Sequence, residues 1–225
     1  AWFHMREGVA LATSETPDEC LAVLVIGAET IEDHRLRAAF WERAGDGLLA
    51  VGRQPIAARA FRLGIGLLEA DVPDSPALAF AQLQLCRANL RGCDPEATRA
   101  AEIYLTVGGE SIEWAQAVNT LAAIAFVRSD LDAAEEGYRT ALDVVRGVAE
   151  GSPAECEVLG NLGLLAMRRG DFDHARDFFR REMDSAGRLG SDTPQFSHAA
   201  NYLGLLAKNM GRYDEARRYY EQALV

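Results

Sequence analysis

The residues that could do chemistry are few and scattered. Four histidines are present, His4, His34, His174 and His198. A metal site on a helix wants a second His or Cys three or four positions away, so that both ligands share one face. None of the four has such a partner, although His4 has Glu7 and His174 sits between Asp171 and Asp177. Asp at the start of a helix complements the helix dipole, so Asp171 reads as a cap and no metal is expected. The pair Glu135–Glu136 reads as a solvated helix face. No Gly-rich phosphate loop, nucleophile elbow or HExxH motif occurs. No catalytic residue and no cofactor is therefore expected. The cysteines, Cys20, Cys86, Cys93 and Cys156, form no C-x-x-C pair. They are expected as buried reduced thiols, which points to a reducing, cytoplasmic compartment.

Charge narrows the partners. The chain of 225 residues carries a net charge of −11. Binding to phosphates needs a cationic footprint. The basic pairs Arg168-Arg169, Arg180-Arg181 and Arg217-Arg218 each have acidic residues close by and read as mixed helix faces. Nucleic acid and membrane are disfavoured, and a neutral, apolar or basic partner fits. The most apolar stretch, LAVLVIGA at residues 21–28, is too short to span a bilayer. The chain starts without Met and stops at Val225 inside an apparent helix, as expected of a segment of a larger protein.

The elements that must position any site come from a repeat. Ala57, Ala97, Ala134, Ala175 and Ala216 are separated by 40, 37, 41 and 41 residues. Five positions before each stands a small residue: Gly52, Gly92, Ser129, Gly170 and Gly211. A period of this size marks a stacked repeat protein. Within it, an apolar helical stripe, a tight turn and a second apolar stripe alternate. Helix starts are marked by a Ser, Thr or Asp cap followed by Pro, at Thr16-Pro17, Ser75-Pro76, Asp94-Pro95, Ser152-Pro153 and Thr193-Pro194. Capping boxes are expected for Thr16 with Glu19 and Ser152 with Glu155. Gly92, Gly170 and Gly211 suit left-handed helix ends. The pattern predicts an all-α chain of twelve helices, near 3–12, 17–30, 34–51, 54–69, 76–91, 95–107, 111–128, 131–149, 153–169, 172–189, 194–210 and 213–225.

These residues resemble the tetratricopeptide-repeat family over roughly residues 34–225. Leu203-Gly204, Gly211, Tyr213, Ala216, Tyr220 and Ala223 follow its pattern, as do Leu162-Gly163, Gly170, Phe172, Ala175 and Phe179. Leu121-Ala122, Leu131, Ala134, Tyr138 and Ala141 follow it too, and so do Trp41, Gly45, Gly52, Ala57 and Phe61. The unit around Gly92 and Ala97 departs from it: Leu85 replaces the small residue and Ala101 the aromatic. The pitch near 41 resembles the arrays of kinesin light chains and of large bacterial signalling ATPases and regulators. The resemblance implies a right-handed α-solenoid of antiparallel hairpins. Residues 1–33 would form a degenerate hairpin or cap. Five repeats would follow at about 34–70, 76–107, 111–149, 153–189 and 194–225. It also implies that Gly163 and Gly204 face Ala175 and Ala216, with Phe179 and Tyr220 directed toward the next unit.

In this family the first helix of each repeat lines a concave groove. Positions spaced i, i+3, i+7 and i+10 share one side of a helix. The groove residues are then Gln116, Asn119, Ala123 and Phe126; Glu157, Gly160, Leu164 and Met167; and His198, Asn201, Leu205 and Lys208. Asn119 and Asn201 recur at one register position, where an amide would bond a peptide backbone. Phe126, Leu164, Met167 and Leu205 make the surface partly apolar. The family's clamp for chaperone carboxylates is not expected, because Glu42 and Asp46 hold the corresponding first-unit positions and would repel an acidic tail. The function implied is a protein-interaction scaffold that binds a peptide or partner helix, with homodimerisation possible and no enzymatic activity. The alternative is a ligand- or peptide-sensing module of a signalling ATPase or transcription regulator.

Overall fold

The computed structural model describes residues 1–12 and 17–224; the Thr16 capping box lies outside them. The described residues form twelve α-helices and no strand. They are α1 (Trp2–Ala12), α2 (Pro17–Glu29), α3 (His34–Ala50), α4 (Gln54–Asp71), α5 (Pro76–Ala88), α6 (Asp94–Gly108), α7 (Ile112–Val127), α8 (Leu131–Ala149), α9 (Pro153–Arg169), α10 (Phe172–Leu189), α11 (Pro194–Asn209) and α12 (Tyr213–Gln222). Two compact units divide the chain, Ala1–Val107 and Gly108–Val225. In the first unit α1 packs on α2, α3 on α4, and α4 on α5. In the second, α7–α8, α9–α10 and α11–α12 form hairpins, and α9 also touches both α7 and α11.

Side-chain caps set the helix starts. Asp33, Ser75, Ser111, Asp130, Ser152, Asp171 and Thr193 each accept a hydrogen bond from the backbone N–H three residues on. Such a cap contributes about 1 kcal/mol. The Ser152 capping box is displaced by one residue: Glu155 accepts from the Gly151 N–H at 2.7 Å, not from that of Ser152. Glu155 is buried, and burial alone would raise its pKa. The Gly151 N–H and the Arg146 guanidinium, 2.9 Å away, bring the net shift below the usual carboxylate value.

The five small turn residues share one backbone conformation. Gly52, Gly92, Ser129, Gly170 and Gly211 all have φ between 68° and 78°. That left-handed conformation ends a helix and reverses the chain, and it costs a residue with a Cβ roughly 1–2 kcal/mol. Ser129 alone among them carries one.

The repeated alanines Ala57, Ala97, Ala134, Ala175 and Ala216 are all buried. What lies nearest the glycines of the first helices is the aromatic ring of the second. A Cβ on Gly163 would lie 2.2 Å from the Phe179 ring, one on Gly45 2.5 Å from Phe61, and one on Gly204 2.7 Å from Tyr220. The small residue therefore makes room for the aromatic of its own hairpin, because a ring lying across a neighbouring helix leaves no space for a methyl group there. Phe179 then reaches onward and stacks on Tyr202 of α11, with centroids 5.2 Å apart.

Cys86 and Cys93 form a disulfide joining the end of α5 to the turn before α6. This corrects the expectation of four reduced thiols. Only Cys20 and Cys156 remain free, both buried. Two of the four thiols that supported a reducing compartment are thus removed. Helix α5 also ends three residues earlier than expected, since Asn89 adopts extended backbone.

Candidate functional site

The first-helix face of the second unit is built by α7, α9 and α11. Gln116, Glu157, His198, Asn201 and Lys208 are exposed on it. Ala123, Phe126, Leu164, Met167 and Leu205 are half-buried, and Asn119 and Gly160 are buried. Phe126 packs against the core of α7, α8 and α9, while Leu164 and Met167 pack against that of α9, α10 and α11. The apolar members thus pack inward and still reach the surface.

Asn119 does not present a free amide. It is 4% exposed, donates to Glu157 Oε1 at 3.1 Å, and accepts from Asn161 Nδ2 at 3.0 Å. Its role is to tie α7 to α9 and to aim Glu157. Asn201 occupies the equivalent position two repeats on and is exposed, so identical residues in one register carry different environments.

Three neighbours that the periodic pattern did not single out complete the surface: Tyr138 on α8, Glu182 on α10 and Tyr202 on α11. Glu182 is 2% exposed, and its Oε2 has no hydrogen-bond partner. Burial pushes its carboxyl up to about 8. The Tyr202 phenol is raised by burial first, then by the charges of Glu182 and Glu157. Tyr138 is likewise raised, mostly by burial, then by Glu157 and Tyr202. A signal for Glu182 does exist in the sequence. The buried residues Ala175, Phe179, Glu182 and Ala186 form one stripe of α10, and Glu182 is its only charge.

The remaining candidates resolve into structure. Asp171 accepts from the His174 backbone N–H and lies 2.6 Å from its Nδ1, so this pair is a helix cap. Glu135 is half-buried between Arg139 and Arg169, not a solvated residue. Arg168 lies over the Phe126 ring at 4.9 Å and donates to Ser129 Oγ at 2.9 Å. The basic pair Arg168-Arg169 therefore clasps the preceding hairpin. In the first unit, Glu42 borders a cavity of about 200 Å³ with Arg35, Ala38, Leu68 and Val72. Burial, then the charge of Asp46, hold its carboxyl above the usual value.

Hairpins that share a buried small-residue and aromatic pairing, a left-handed turn and a stacked first-helix face define a helical repeat protein. The second unit carries repeats of the tetratricopeptide-repeat family. Two profiles of that family, each described as tetratricopeptide repeat, match residues 114–188 and 197–225. No curated protein matches the sequence. Among solved structures the chain is similar to BtubC (BKLC) from P. vanneervenii, with a TM-score of 0.63, 22% identity, and coverage of 97% of this chain and 89% of that one. It is similar to a putative kinesin light chain with nearly identical TPR-like repeats from P. anserina, with a TM-score of 0.63 and 15% identity, covering 86% and 95%. It is also similar to a Rap protein complexed with Competence and Sporulation Factor, with a TM-score of 0.76 and 17% identity, covering 99% of this chain and 63% of that one. At these identities the likeness is one of fold. That fold is generally a non-catalytic scaffold for protein–protein interaction. Among the described residues no helix is long and apolar enough to cross a membrane.

Proposed function

We propose that the face of α7, α9 and α11 binds a peptide or partner helix, and that the chain acts through this contact without chemistry of its own. The observation that carries the reading is the row of half-buried apolar side chains, Phe126, Leu164, Met167 and Leu205, on helices that touch in sequence order. Apolar residues of this kind supply contact area, and Asn201, Gln116 and His198 supply hydrogen bonds around them. The acidic chain favours a neutral, apolar or basic partner. The five-repeat division after residue 33, a cytoplasmic setting and homodimerisation belong to the same reading. The Rap complex, whose fold spans this whole chain, favours a second role, in which such a face senses a ligand for a larger signalling protein.

The test is capture of partners by the wild-type chain and by two variants, compared by mass spectrometry. Asn201→Ala with Leu205→Asp is expected to lose them, because a charge enters the apolar row and an exposed amide is removed. Arg217→Glu, on the exposed surface of α12, is expected to keep them, since an exposed charge, even paired as Arg217 is with Glu221, contributes under about 1 kcal/mol. The opposite result would move the interface to the second helices.

A further inference from the structure

Three register positions, 41 residues apart, form a row on the first-helix face: Asn119 on α7, Gly160 on α9 and Asn201 on α11. Each is matched, 22 residues later, by a position on the second helix of its hairpin: Ala141, Glu182 and Ala223. The outer two hairpins pair Asn with Ala. The middle hairpin pairs Gly with Glu, so the polar group has moved from the first helix to the second. The geometry follows the exchange. A Cβ on Gly160 would lie 3.1 Å from both carboxylate oxygens of Glu182 and 3.0 Å from Cε2 of Tyr202. The Glu182 carboxylate thus occupies the space that a side chain of α9 would fill, in line with the two asparagines.

A carboxylate there is out of keeping with a purely structural position. Burying one without a partner is costly, and the two flanking hairpins fill this place with alanine, Ala141 and Ala223. Glu182 Oε2 has no hydrogen-bond partner, and the residue is 2% exposed. The groups around it leave a cationic gap. From α9 come Glu157, whose Oε1 accepts from Asn119, and Cys156, whose thiol contacts the Glu182 backbone carbonyl. From α11 comes Tyr202, whose ring edge approaches the same point beside Gly160 as the carboxylate, and Tyr138 of α8 lies near enough to feel the charges of Glu157 and Tyr202. None of these carries a positive charge.

We propose that the middle of this row is a subsite for the guanidinium or ammonium group of a basic side chain of the bound peptide, with Glu182 as its counter-ion, Glu157 at its rim and Tyr202 as the ring that yields to admit it. This rests on the peptide-binding reading above and names its ligand class. The cation supplies the partner that the buried carboxylate lacks, and charge-assisted hydrogen bonds to a carboxylate are among the strongest available. In the free chain the Glu182 carboxyl holds its proton over most of the neutral range. A bound cation favours the ionised form, so binding releases that proton.

The test is selection of a randomised twelve-residue peptide library on the immobilised chain, followed by titration of the enriched peptides. Enrichment of Arg or Lys at one position is expected. Replacing that Arg by citrulline should weaken binding about tenfold or more, as should Glu182→Gln. Affinity for the Arg peptide should rise between pH 6 and pH 9 in the wild type and stay flat in Glu182→Gln. Gly160→Asn with Glu182→Ala installs the pairing of the neighbouring hairpins, keeps the fold, and should abolish the basic preference. If neutral peptides are enriched and Leu205→Asp alone removes them, the groove binds peptides and the cation subsite is wrong. If basic enrichment is unchanged in both Glu182 variants, the subsite is also wrong. If no peptide is enriched, the peptide-binding reading falls with it.

Discussion

The α9–α10 hairpin and the α5–α6 hairpin assign side-chain size in opposite ways. In the first, Gly163 on the leading helix yields to Phe179 on the second, sixteen positions later. In the other, the same two positions hold Leu85 and Ala101, with Leu85 buried and Ala101 half-buried. Both hairpins turn on a left-handed glycine, Gly170 and Gly92, and both bury the alanine that follows, Ala175 and Ala97. The turn and the alanine are common, while the positions that hold glycine and an aromatic in one hairpin hold leucine and alanine in the other. Close packing constrains the volume between two helices, and not which of them supplies it. The hairpins differ again in their staples. α5–α6 is held at its turn by the Cys86–Cys93 disulfide, while the ring of Phe179 ties α10 to the following hairpin by stacking on Tyr202 of α11.

The comparison is broken most severely by removing the large member. Phe179→Ala should destabilise by about 3–5 kcal/mol and Leu85→Ala by about 2–5 kcal/mol, as the cavity each leaves cannot fully collapse. Equal chemical-denaturation midpoints for Leu85→Ala and wild type would show that Leu85 does not serve as the large member. Reduction of the disulfide comes next. Opening a loop this short should cost about 2–3 kcal/mol. Hydrogen exchange should rise in α5 and α6 and stay unchanged in α9 and α10.

A pH-dependent effect separates the hairpins through Glu182. Its folded pKa, about 8, lies above the ordinary value of 4.5. Between those values the unfolded chain gives up the proton that the folded chain keeps, so stability falls as pH rises. Thermal melts should show Glu182→Gln gaining on the wild type from about pH 5 to pH 8 and levelling off above. A constant difference across that range would mean that Glu182 is ionised throughout. The smallest effect is Ser129→Gly. It relieves a positive φ but loses the bond to Arg168, so a gain under about 1 kcal/mol is expected in the melting midpoint.

The helices were legible because their punctuation is local. Ser152 and Gly170 declare the ends of α9 from side-chain hydrogen bonding and backbone freedom alone. The close approach of Phe179 to Gly163 is not legible, because sequence spacing does not say how far a ring leans across its neighbour. The disulfide was missed for a related reason. Cys86 and Cys93 stand seven apart, and only the early end of α5 at Asn89 folds them together. At the candidate site, the stripe of Phe126, Leu164, Met167 and Leu205 followed from helical period. The ties between Asn119, Glu157 and Asn161, and the approach of Glu182 and Tyr202 to Gly160, depend on contacts between repeats, which a period cannot resolve. The exchange of Asn119–Ala141 for Gly160–Glu182 was nonetheless visible once the hairpins were set in register.

The left-handed turn has a consequence best put as information. Each hairpin spends its fixed letters on a turn residue, one alanine and a complementary pair of sizes. The outward face of the first helix is left almost unspecified. A grammar that short lets the alphabet on the binding face drift freely, and structures at 15–22% identity can share TM-scores of 0.63 to 0.76 with this chain. It also makes the hairpin a transposable word: a segment running from Ser152 to Gly190 carries its own start, reversal and stop, and could be copied into another array with its message intact.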